Sequence, residues 1–253
     1  MRDDWEHEGE LAQRVAGENY VFSHTIRSDA RRSFSGRAGS ANVSPARDGN
    51  CVRSQRPACS GGRVDADLVE ALASLEEGFR ESGQRFLKGK GDAAAVEELK
   101  KRFSLSPRFR LFLTEFDPHD VEAAMPIERV RFLPASELAE ANAVSRGADW
   151  KPSWFVFAES SLLGDPYFLD LTSRDTEGDC PVRTAMSGQD RWQPVLAASS
   201  FAQFLRIIGA GLKLAKGFGS RLADVDDEDT FREAMVSRIR AIDGGALKAG
   251  HWT

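Results

Sequence analysis

Three carboxylates, Glu159, Asp165 and Asp170, fall within the short stretch "ESSLLGDPYFLD". Such a group could be a catalytic pair, a metal site, or the corner of a hairpin. Paired carboxylates do acid–base work when a pocket pushes their pKa values apart. Asp165 and Asp170 lie five residues apart, one in a Gly-Asp-Pro turn and one in the strand-like run after it. That spacing does not set them across a substrate-sized gap, and a turn-capping Asp165 is the favoured reading. Asp170 shares its phase with Phe168 and Thr172, opposite Tyr167, Leu169 and Leu171. One face is then apolar, while the other mixes an aromatic ring with an acid. A face of that kind suits binding of a basic partner at least as well as catalysis.

Other reactive constellations are missing. "GKGD" and "GAG" lack the spacing of a phosphate-binding loop. "GFGSR" is not a nucleophile elbow, since Arg221 follows Ser220. Beyond residue 63 the only histidines are His119 and His251; His119, in a Pro-flanked loop, is expected to be solvated. Cys180 reads as a small core residue beside a strand. Counted from Asp224, "DVDDED" fails as a calcium loop, because Asp229 and Met235 hold the positions that need Gly and Glu. Acids near a helix N-terminus are the simpler reading. Neither a catalytic residue, nor a metal site, nor a cofactor is assigned.

Elements that could position the three acids begin near Val64. Leu68, Leu72, Leu75 and Phe79 form one helical stripe, with Asp65 or Asp67 as a cap candidate. A second helix is predicted over 92–103. A third starts at Ser106-Pro107, with Phe109, Phe112, Leu113 and Phe116 inward. Strand character follows at 127–133, then a short helix at 134–143 capped by Ser136. Strands are predicted at 153–160, 167–172 and 180–186. Ser199-Ser200 cap a long helix from Phe201. A last helix at 229–242 buries Phe231, Met235, Ile239 and Ile242, and Gly244-Gly245 stops it. Helices flanking a run of strands joined by short turns predict an α+β fold with a mixed or antiparallel sheet.

Residues 1–63 differ in kind. They hold ten arginines, no lysine and eight acids, a balance of +2, against −7 for the other 190 residues of the 253. Their Arg/Ser/Gly/Ala composition predicts disorder. It also suggests upstream DNA read from a misplaced start codon. Cys51 and Cys59 match no zinc spacing, and three cysteines build no disulfide framework. No apolar run approaches the ~20 residues of a membrane span, and no secretory leader is visible, so a cytoplasmic location is expected. The acidic folded part should repel nucleic acid and attract basic partners.

The order of motifs resembles the SUKH superfamily, which holds Smi/Knr-type fungal cell-wall regulators and many bacterial immunity proteins. "LSPRFRLFL" (105–113) is similar to its "LP-x-x-Y/F-x-x-F-L" helix. "WKPSWFVFAESSLLGDPYFLDLT" (150–172) resembles its central hairpin, and "PVRTAMSGQDRWQPVLAASSFAQFL" (181–205) its closing segment, with Ser187 where histidine is frequent. The resemblance implies a SUKH-like α+β domain over 64–216, followed by a linker and amphipathic helix over 217–253. It also implies a non-catalytic protein-binding module, foremost a cytosolic immunity protein that neutralises a basic toxin domain. Alternatives are a scaffold or regulator without a toxin, and a hydrolase using Asp165, Asp170 and Glu159 with a metal. The expected partner-binding surface is formed by the exposed acids Glu159, Asp165 and Asp170 with the aromatic anchors Trp150 and Tyr167.

Overall fold

The computed structural model describes residues 61–89, 91–218 and 225–252, with side chains from residues 66 and 228 onward in the first and last of these. The expectations for residues 1–60 lie outside the described residues. All described residues belong to one compact unit.

Helix α1 spans Gly61–Ser82, so neither Asp65 nor Asp67 caps it. Its stripe is as read: Leu68, Leu72, Leu75 and Phe79 are buried. Asp92 caps α2 (Ala93–Arg102) by accepting from two amides. Ser106 caps α3 (Pro107–Glu115), whose first residue is the proline. Helix α4 (Ala135–Ala141) has no side-chain cap of its own. Ser136 does not serve there; the buried Asp117 accepts from the Ala135 amide at 2.7 Å instead. Ser200 caps the long α5 (Phe201–Ala215). Helix α6 runs Val225–Ile242, and Gly244-Gly245 begin rather than end a helix, α7 (Gly244–Ala249). Asp243 makes that restart: its carboxylate accepts from Gly245 and Ala246 and, across the fold, from the Ser199 hydroxyl at 2.8 Å.

Six strands form one sheet in sequence order: β1 (Glu122–Met125), β2 (Glu128–Phe132), β3 (Trp154–Ser160), β4 (Pro166–Asp170), β5 (Val182–Thr184) and β6 (Val195–Ala198). Every neighbouring pair is antiparallel. Antiparallel pairing needs no crossover helix; turns or loops join the neighbouring strands except β2 and β3, between which α4 is inserted.

Both helical and strand patterns converge on one core. Phe109, Phe112, Phe201 and Phe204 from α3 and α5 meet Phe132, Phe157 and Tyr167 from the sheet, with ring centroids 5.0–6.5 Å apart. A register shift between Val156 and Ala158 leaves Phe157 as an extra residue in β3. That bulge lets Phe155 and Phe157 both reach Phe109. Helix α1 crosses α5 where glycines face each other: a Cβ on Gly78 would stand 2.5 Å from the Gly209 carbonyl oxygen. The C-terminal segment joins the same core through Phe231, Met235, Ile239 and Trp252.

Arg108 is a buried cation at the junction of α1, α3 and the loop before β5. It contacts Asp67 at 3.1 Å and the fully buried Asp179 at 3.2 Å, and also pairs with Glu177. Asp179 accepts in addition from the Cys180 and Ala202 amides. Cys180 is fully buried, and burial pushes its thiol up to about 11. That protonated thiol packs as a core residue.

Candidate functional site

The antiparallel order puts the turns of alternate hairpins at one end of the sheet. The β3–β4 turn (161–165), the β5–β6 loop (185–194) and the start of β2 therefore lie together. Glu128 opens β2 and is almost wholly buried. Its Oε1 accepts from the Ser160 hydroxyl at 2.8 Å and the Arg129 amide at 2.7 Å. The Tyr167 hydroxyl donates to its Oε2 at 3.0 Å. Since the phenol has one hydrogen, it receives from His251 Nε2 across their 2.9 Å contact. In this arrangement Nε2 carries the ring proton.

Burial governs the chemistry of this chain of groups. It raises the Glu128 carboxyl above the usual range, against the pull of its three hydrogen bonds. It also raises Tyr167 well above an ordinary phenol. The His251 imidazole is pushed down to about 4, first by burial and then by the charge of Arg232. At neutral pH His251 is uncharged, and Tyr167 holds its proton.

Above this network opens a pocket of about 390 Å³, lined by Asp165, Thr184, Met186, Gln193, Val195 and His251 among others. Asp165 does not cap its own turn. Its Oδ1 accepts from the Ser187 amide at 2.6 Å, and the Ser187 hydroxyl donates to the Gly164 carbonyl at 3.0 Å. These bonds clasp the two loops to each other. The turn itself is closed by Ser160, whose hydroxyl oxygen accepts from Leu163 and whose carbonyl accepts from Gly164. Gly164 takes the left-handed conformation, φ 72°, that the tight return requires.

The five residues expected to form one surface do not. Tyr167 is fully buried and Asp170 is 8% exposed, which corrects both. Tyr167 faces α5 because its strand phase is that of the core, not of the acid face. Asp170 performs the turn-capping expected of Asp165: it accepts from the Thr172 and Ser173 hydroxyls at 2.8 and 3.1 Å. Asp165 precedes β4 and Asp170 ends it, so at ~3.3 Å per residue the two are roughly 16 Å apart. They cannot share a metal or a scissile bond. Glu159 is partly exposed and pairs with Arg131 at 2.9 Å. Trp150 is partly buried against Trp154, Phe168 and Trp192, with the Arg146 guanidinium over its ring. Among the described residues, no three of His, Cys, Asp and Glu are grouped to hold a metal. No helix there is long and apolar enough to cross a membrane.

Several residues of this end carried no sequence signal of their own: Glu128, Ser160, Met186 and His251. His251 could have been marked only by rarity. The chain matches no family model and no curated protein.

Proposed function

We propose that the chain is a protein-binding module whose binding face is the loop end of the sheet. One observation carries the reading. Six large apolar side chains are exposed among the described residues, and four of them lie at this end of the sheet: Leu162 and Leu163 on the β3–β4 turn, Met186 on the β5–β6 loop and Val195 at the start of β6, the last two lining the pocket. Apolar groups gathered on a held surface mark interaction sites, whereas scattered ones need no explanation. The clasp lowers the ordering entropy that loops otherwise lose on binding.

Within that reading, a SUKH-like cytosolic immunity protein facing a basic toxin is the leading role. Its supports are the motif resemblance over roughly 105–210 and the −7 charge of residues 64–253. A scaffold or regulator without a toxin is the rival. The roughly 16 Å between Asp165 and Asp170 speaks against the two-carboxylate hydrolase.

The test is protection of growth. A toxin domain encoded beside this chain is expressed with the wild-type full chain or with Leu163→Glu/Met186→Glu. The wild type should restore growth and the double variant should not, with both folded by circular dichroism. Equal protection by the two would remove the loop end from the interface, and no protection by the wild type would remove the immunity role.

A further inference from the structure

The pocket at the loop end has a more specific shape than an apolar patch needs. Its lining contains one formal charge at neutral pH, Asp165. Only one of that carboxylate's oxygens is engaged: Oδ1 holds the Ser187 amide, while Oδ2 makes no hydrogen bond among the described residues. The charge of Asp165 reaches the buried groups beneath it, helping to raise both the Glu128 carboxyl and the Tyr167 phenol. Arg232, whose charge acts on His251, is paired with Glu228 at 2.8 Å. No lysine or arginine lines the pocket. His251, neutral at pH 7, does not supply a competing charge.

An open carboxylate oxygen in a cleft without a counter-ion attracts a cation. Three features narrow the choice. Met186, Val195, Ala185 and Ala249 line the walls with apolar surface, which suits a ligand with a methylene stem. Gln189 and Gln193 lie on the wall with exposed side chains, free to turn a carbonyl toward a donor. One open oxygen meets the point charge of an ammonium, whereas a guanidinium fork needs two. The volume of about 390 Å³ lies near the bottom of the ~300–1,000 Å³ range of small-molecule pockets and holds a single side chain.

We infer that this pocket is an anchor for one lysine side chain of the partner, with the ammonium on Asp165 Oδ2 and the stem between Met186 and Val195. The inference rests on the protein-binding reading and adds which side chain the partner inserts. Leu162 and Leu163 then cover the backbone around the inserted lysine and exclude water from the ion pair, which is where charge pairs gain strength.

The experiment uses the full chain and a minimal probe, Nα-acetyl-lysine N-methylamide, followed by ¹⁵N–¹H spectra. The arginine and norleucine counterparts are titrated in parallel. The lysine probe should shift the Met186, Ser187 and Gly250 amides along a saturable curve with a Kd in the millimolar range. The arginine probe should bind about threefold more weakly, and the norleucine probe should give no saturable shift. Asp165→Asn keeps an oxygen for the Ser187 amide, so the rest of the spectrum should stay in place while lysine affinity falls about tenfold. Equal response to lysine and norleucine, unchanged affinity in Asp165→Asn, or shifts confined to another surface would each overturn the anchor. The two proposals fail separately. Loss of protection in the Leu163/Met186 variant with no lysine response removes the anchor alone. A lysine response at these amides with full protection by that variant removes the interface alone.

Discussion

Replacing His251 by Gln tests how far burial controls the network beneath the pocket. Glutamine keeps an N–H for the Tyr167 oxygen but cannot titrate. The imidazole falls from 6.5 to about 4 in the folded chain. Below pH 6.5 the unfolded chain takes up a proton that the folded chain refuses until about pH 4. Its contribution to stability is therefore complete above 6.5 and is lost as pH falls through that window. At about 1.4 kcal/mol per pH unit the ceiling is ~3 kcal/mol. The ring is partly exposed at the pocket, so water lowers this to ~1–2 kcal/mol, or roughly 2–8 °C for a unit of this size. Glu128 works in the opposite sense: its raised carboxyl favours the protonated folded form, so its contribution falls as pH rises above 4.5. Comparing wild type with His251→Gln cancels the Glu128 slope to first order and leaves the histidine. Melting curves at pH 7.5, 6, 5 and 4.5 should show the wild type losing stability faster than the variant below pH 6.5. Parallel profiles would refute the reasoning. So would a His251 ring proton that titrates near 6.5 instead of about 4.

Three further outcomes follow from contacts on other elements. Gly209→Ala places a Cβ 2.6 Å from the Ser74 carbonyl oxygen, so α1 must move away and stability should fall by ~1–3 kcal/mol in urea melts; an unchanged midpoint would show that the helices do not cross there. Arg108→Ala leaves Asp179 buried without its cation and should cost ~3–5 kcal/mol by the same assay. Asn142→Ala removes an amide that bonds both backbone groups of Val156 at 2.8 Å. Leaving those groups open should cost about 2–4 kcal/mol, and hydrogen exchange at the Val156 amide should accelerate selectively.

Local rules made much of the fold legible. The Ser106-Pro107 start, the Leu68–Phe79 stripe and the Ser200 cap are signals contained within a few residues, and each appears in the structure. Strand β1 carries no strand signal in the sequence, because "EAAM" has little β-branched or aromatic character. It forms because β2 offers an edge beside it and Ala123 and Met125 reach the core. Strand β6 hides behind Pro194 in the same way. The misplaced roles at the hairpin have one cause. Asp165 and Asp170 look alike in sequence, yet which one caps depends on which hydroxyls and amides arrive from elsewhere. Thr172 and Ser173 are local to Asp170 and could have been weighed. Ser187, twenty-two residues from Asp165, is set there only by the meander. An aromatic beside acids suggests a surface anchor at Tyr167, whereas its actual partners Glu128 and His251 are 39 and 84 residues away.

The treatment of the sheet edges bears on how a partner would be held. An open edge presents unpaired backbone groups and invites a partner strand. Here both edges are occupied from within the chain. At β1, the Gln84 amide donates to the Ala124 carbonyl at 2.7 Å and accepts from the Ala124 N–H at 2.8 Å, which spends the bonds a partner strand would use. At β6, α7 packs alongside, the Trp252 indole donates to the Ala197 carbonyl at 2.8 Å, and Asp243 accepts from the Ser199 amide. Even inside the sheet, where β2 ends short of Val156, Asn142 fills the gap. Strand addition would first have to displace a buried tryptophan or a glutamine that satisfies two backbone groups. The loop end presents no such obstacle: its apolar side chains already face outward, and its carboxylate has an oxygen to spare. Recognition by inserted side chains, not by an added strand, is thus the mode that this arrangement of the sheet favours.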